Sequence, residues 1–206
     1  MFGQLLTLAP VLAGVIAVPQ LVPQLRIALT NRDISGVSLT WAALTSVNNA
    51  AWCAYFVLSH YWTALIPGGA VTIVAGVLAA QLAKRGKTTR ASTTLIAAWG
   101  ALVAIVAIGF GRAPLGAVLT AAFVLQVAPS LRSAYRTRHP AGISRGTWLL
   151  ILAELTCWGL YGIRSSDPRL ITLGSLGVIA STLMLMRAGS TALDRPDAVA
   201  SLPSRG

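Results

Sequence analysis

PQLRIALTNRDISGVS (Pro23 to Ser38) is answered by PSLRSAYRTRHPAGIS (Pro129 to Ser144), 106 residues further along the chain. The register continues without gaps on either side. It carries Asn48-x3-Trp52-x2-Tyr55 onto Glu154-x3-Trp158-x2-Tyr161, and it pairs Gln20 with Gln126, Arg26 with Arg132 and Gly68 with Gly174. Chance does not bring Pro, Gly, Trp and Tyr back in one register. The chain is a duplicated unit, and that decides how every element is read.

Composition names the solvent. Hydrophobic residues make up 55% of the chain and charged residues 10%, against roughly 25% charged in an ordinary soluble domain. The net charge of +11 does not point to nucleic acid, because the basic residues form short clusters between apolar runs and the aromatics lie inside those runs. Lys84-Arg85-Gly86-Lys87 and Arg136-Thr137-Arg138 are such clusters, of the kind that flank membrane spans. The two cysteines, Cys53 and Cys157, fall inside apolar runs and indicate no disulfide framework. The first apolar run lacks a basic leader and belongs to the repeat, so it reads as a retained helix rather than a cleaved signal.

Apolar runs near the ~20 residues that cross a bilayer are read at 5–28, 38–58, 62–83, 92–110, 114–135, 144–163 and 168–187. The expectation is an all-α membrane protein of seven spans in a 3+1+3 plan. Residues 5–83 form one three-helix repeat, 114–187 form the other, and 92–110 form a linker helix without a counterpart. The end of the chain, 188–206, reads as a disordered cytoplasmic tail. Four crossings separate the starts of the two repeats, so both enter the membrane in the same orientation. Of the 16 Lys and Arg residues only Arg112, Arg164 and Arg169 fall on the side holding the N-terminus. The positive-inside rule therefore places the N-terminus outside and the C-terminus in the cytoplasm.

With the repeat, the linker helix and the Pro23-Gln24-Leu25-Arg26 motif, the chain resembles the PQ-loop superfamily, and within it the SWEET sugar transporters and half-size SemiSWEETs. The stretch CWGLYGIRSSDPRLITLGSLG (Cys157 to Gly177) is similar to the corresponding SWEET stretch. The resemblance implies parallel repeats around a central solute site, as in other transporters built this way. It also implies a plasma-membrane transporter of a small neutral solute, a sugar first, with possible homo-oligomers as partners besides the bilayer and no cofactor. Two departures stand out. The asparagines that hold sugar in the family are replaced by Gly68 and Gly174, with Gly69 and Ser175 beside them. The family's second proline pair is replaced near Trp41 and Thr147.

Asn48, Trp52 and Tyr55 share one helix face at i, i+4, i+7, and Glu154, Trp158 and Tyr161 repeat it. An aromatic beside a polar group makes a solute platform, so Trp52, Trp158, Asn48, Glu154, Gly68, Gly174 and Ser175 are the candidate substrate-binding residues. The alternative for the aromatics is an interfacial belt, and Tyr55 and Tyr161 read either as belt or as an outer gate. Glu154 is the one ionisable residue well inside an apolar run. Such a group normally faces protein or a water-filled path, either exchanging protons during transport or hydrogen-bonded to Asn48 or Asn49. Pro23 and Pro129 break the helix ladder near the cytoplasmic end. Gln20 and Gln126 stand one turn earlier to satisfy the freed carbonyls. The resemblance implies hinges there, and a static kink is the other reading. The glycines either widen the cavity or permit close helix packing. Arg26 and Arg132 read as headgroup anchors.

His60 and His139 have no metal-ligand spacing around them. No zinc-protease, nucleophile-elbow or nucleotide-binding motif is present, so neither an enzyme nor an ATP-driven pump is expected. Two alternatives remain: a proton-linked transporter of amino acids or other metabolites, and a non-transporting receptor of the same fold.

Overall fold

The computed structural model describes residues 8–30, 38–136 and 145–193. Among these residues there are seven helices and no strand: α1 Ala9–Thr30, α2 Leu39–Leu58, α3 Trp62–Lys84, α4 Arg90–Phe110, α5 Arg112–Arg136, α6 Arg145–Arg164 and α7 Pro168–Leu193. Four of them, α3, α4, α6 and the first part of α7, are long and apolar enough to cross a membrane. α1 and α5 contribute the shorter apolar stretches Ala9–Val22 and Arg112–Ala128. α2 falls outside both groups because Thr40, Thr45, Ser46, Asn48 and Asn49 interrupt it. Those residues have inward work: Ser46 donates to the Thr72 carbonyl of α3 at 2.9 Å, and three of the others face the cavity described below.

Local chemistry sets the helix ends. Ser38 caps α2 by accepting from the Trp41 amide at 3.2 Å. Thr89 and Ser92 cap α4 reciprocally, each side chain taking the other's backbone N–H at 3.1 and 3.0 Å. At α7 the Asp167 carboxylate accepts from the Arg169 amide at 2.9 Å, and Pro168 fills the first helical position, where no donor is needed.

The duplication reaches into the turns. His60 between α2 and α3 and Ser166 between α6 and α7 both adopt left-handed backbone, at φ 57° and 52°. Three of the hydrogen bonds that close these turns recur at the 106-residue offset. Tyr61 N–H donates to the Phe56 carbonyl and Asp167 N–H to the Gly162 carbonyl, each at 2.8 Å. These are the longer-range bonds of a Schellman-type helix end. Both turns tolerate a side chain at the left-handed position, where glycine is usual.

In each half the third helix packs against the first two: α3 on α1 and α2, α7 on α5 and α6. Across the halves α1 meets α6 and α2 meets α5, while α4 lies against α2 and α5. The main core cluster sits between the halves and includes Tyr55, Phe56, Trp158, Tyr161, Leu115 and Leu170. α4 turns Leu95, Ile105, Ile108 and Phe110 outwards, a bare apolar flank suited to lipid.

At the end where α1 and α5 finish, arginines reach back, one just past α3 and one within α7. Arg85 donates to the Leu29 carbonyl at 3.3 Å and Arg187 to the Ala134 carbonyl at 3.0 Å, satisfying acceptors near a helix C-terminus. The end of α7 departs from expectation, because the helix continues to Leu193 where disorder was expected from Ala188. Ala188 is buried, and its carbonyl accepts from Arg145 at 3.0 Å, which holds the extra turn in place. Residues 194–206 lie outside the described residues.

Candidate functional site

A cavity of about 270 Å³ opens between the two halves. α1, α2 and α3 line it from one half and α5, α6 and α7 from the other. Six of the residues singled out from sequence lie on its wall: Trp52, Trp158, Asn48, Glu154, Gly68 and Gln126.

The aromatic side of the cavity is built on three rings. Phe56 stacks on Trp52 with centroids 5.8 Å apart and planes at 26°, and on Trp158 at 5.3 Å and 11°. A phenyl ring therefore bridges the two indoles. Sequence reasoning passed over Phe56 because its mate in the other repeat is Gly162. Its spacing of four residues from Trp52 was the available signal.

The polar side is asymmetric. Among the described residues Glu154 is the one charged residue on the cavity wall. It accepts from the Gln20 side chain of α1 at 3.3 Å, with Trp158 one turn along α6 on the same wall. Donors of this kind offset part of the cost of holding a carboxylate away from water. The expected partners, Asn48 and Asn49, are engaged elsewhere. Asn48 Oδ1 accepts from the Trp99 indole of α4 at 2.6 Å, and Asn49 donates to the Thr45 carbonyl at 2.9 Å. Gln20 also departs from its expected role. Its amide goes to Glu154 and to the Ile16 carbonyl at 3.3 Å, not to the carbonyl freed by Pro23. Its mate Gln126 lines the cavity.

Gly174 and Ser175 do not line the cavity. A Cβ on Gly174 would meet the Gly159 amide nitrogen at 2.6 Å and the Leu155 carbonyl oxygen at 2.8 Å, so this glycine lets α6 and α7 touch backbone to backbone. Ser175 is exposed on the outer side of α7. Gly68 does both jobs, facing the cavity while a Cβ there would press on Cys53 Sγ at 2.8 Å. Gly69 has open space around it.

Tyr55 and Tyr161 lie beyond the cavity, in a buried cluster at the ends of α2 and α6 and the starts of α3 and α7. The Tyr55 hydroxyl donates to Asp167 Oδ2, a contact across the two halves. Tyr161 meets Tyr61 edge-on at 5.4 Å. Burial and the Asp167 carboxylate push the Tyr61 hydroxyl up to about 12, with Arg112 pulling the other way. Asp167 is 5% exposed and Tyr55 1%. The acid is thus enclosed by two tyrosines and the amides at the start of α7.

Pro23 and Pro129 fall within α1 and α5, but their side chains lie outside the described residues, as does all of His139. Arg26 and Arg132 are exposed. No group of His, Cys, Asp and Glu able to hold a metal occurs among the described residues.

No family model, curated protein or solved structure matches this chain. The functional reading therefore rests on the cavity and its walls.

Proposed function

We propose that the chain is a membrane transporter of a small solute, with seven spans in a 3+1+3 plan and the cavity between the halves as its solute site. The observation that carries this reading is the placement of repeat mates. Trp52 with Trp158, and Asn48 with Glu154, face one space although 106 residues separate the members of each pair. Aromatic faces with a few directional polar groups suit a sugar-sized solute, and a sugar is the first candidate, as the resemblance to SWEETs implies.

Alternating access needs a seal that opens. The Tyr55–Asp167 contact ties α2 of one half to the start of α7 of the other, and with Tyr61 and Tyr161 it forms a closed outer gate. The N-terminus lies outside and the C-terminus in the cytoplasm of the plasma membrane, following the distribution of Lys and Arg. Glu154 favours a second reading within the same class. A carboxylate on the wall of the cavity suits a proton-linked carrier of amino acids or other metabolites.

Purified protein in proteoliposomes, preloaded with unlabelled solute, tests the proposal by counterflow of labelled sugars and amino acids. Saturable counterflow of at least one solute is expected, lost in Trp158→Ala and retained in part by Trp158→Phe. Absence of counterflow across the panel, with binding intact, would favour a receptor instead.

A further inference from the structure

The cavity wall contains one contact that the repeat does not predict. Trp99 belongs to α4, the helix without a counterpart, and its indole N–H donates to Asn48 Oδ1 at 2.6 Å. The direction of this bond is fixed by chemistry, because an indole nitrogen donates and cannot accept. The amide must therefore turn its oxygen to Trp99. Its Nδ2 is left as a donor with no partner among the described residues, on a side chain that lines the cavity.

The repeat mate of Asn48 is Glu154, whose carboxylate oxygens can only accept while ionised. α4 packs on α2 and α5, so it reaches one of the two mates and not the other. The result is a donor on the α2 wall and an acceptor on the α6 wall.

Resting on the reading of this cavity as the solute site, we propose that Trp99 is a positioning residue. It locks Asn48 as a hydrogen-bond donor, so the cavity selects solutes that present an acceptor towards α2 and a donor towards α6, and holds them in one orientation. Asn48 free of Trp99 would rotate and offer either its oxygen or its nitrogen, and that selection would be lost. With its oxygen turned inward Asn48 would accept as Glu154 does, and a solute could then bind in two similar poses. The linker helix removes one of them.

Two measurements test this on the full-length protein. The first uses tryptophan labelled with ¹⁵N at the indole and follows the Trp99 N–H signal in lipid nanodiscs. Asn48→Ala is expected to shift that signal and speed its exchange with solvent. An unmoved signal overturns the proposal. The second measures how deoxy-glucoses and fluorodeoxy-glucoses, altered at positions 2, 3, 4 and 6, compete with labelled D-glucose in counterflow. Fluorine keeps a weak acceptor where the deoxy sugar has none, at nearly the same size.

In wild type the fluoro sugar is expected to compete better than its deoxy partner at one position, by about twofold to threefold, the low end of what one hydrogen bond contributes because fluorine accepts weakly. Trp99→Phe should bring that ratio to one while leaving the other positions unchanged, and Trp99→His, which keeps an N–H, should restore part of it. A ratio that survives Trp99→Phe in protein that still folds overturns the proposal. If D-glucose shows no counterflow, the sugar reading fails, and the Trp99 signal alone then decides for or against the locked amide.

Discussion

Tyr55→Phe removes one oxygen from the tyrosine cluster around Asp167 and little else. The ring keeps its edge-on contact with Trp52 at 5.3 Å and its seat over Gly116. What is lost is the donor to Asp167 Oδ2, on a carboxylate that is 5% exposed and whose two backbone donors both reach the other oxygen, Oδ1. Leaving a buried acceptor without its donor costs about 1–3 kcal/mol. If the bond exists in the outer-closed state and is broken in the outer-open one, the whole cost falls on the closed state. The equilibrium then moves by about 5- to 150-fold towards opening. A reporter cysteine at Ile151 on the cavity wall, in a Cys53→Ala, Cys157→Ala background, reads this through labelling by a membrane-impermeant maleimide added outside. The expected result is a labelling rate raised within that range by Tyr55→Phe. An unchanged rate together with a lowered melting temperature would refute the gate and leave the bond a structural tie.

Gly174→Ala should lower the melting temperature in detergent, by about 1–3 kcal/mol of stability, because the methyl meets the backbone of α6. Gly69→Ala, with open space around it, should leave stability unchanged or raise it slightly. If Glu154 carries a proton during turnover, an inward pH gradient should stimulate wild-type uptake. Glu154→Gln should then keep counterflow and lose the response. Loss of counterflow as well would place the carboxylate on the solute itself. Gln20→Ala removes the donor to Glu154 Oε2 and should lower solute affinity while leaving the folded fraction unchanged, as read by counterflow KM and size-exclusion chromatography.

Helix positions were the most legible part of the sequence, because apolar runs broken by Gly, Pro and basic clusters mark their own ends. α3 and α4 begin and end within two residues of the expected limits. The site was legible where both repeats carry a distinctive residue, as with Trp52 and Trp158. It was hidden where the halves differ. Phe56 has a glycine as its mate, and Trp99 stands on a helix with no mate at all, so comparison of the repeats passed over both. Tyr55 and Asp167 lie 112 residues apart, and only packing of α2 against the start of α7 reveals that they meet. Gly174 shows the reverse error. Its mate Gly68 faces the cavity, but close contact with Gly159 turns Gly174 into the seam between α6 and α7.

The most direct test of a transport cavity between the halves is counterflow of labelled solutes in proteoliposomes, comparing wild type with Trp158→Ala and Trp52→Ala. Trp158 and Trp52 come from different halves and share one cavity. Wild type should show saturable counterflow that either substitution abolishes in folded, membrane-inserted protein. Counterflow that persists in both variants would contradict it.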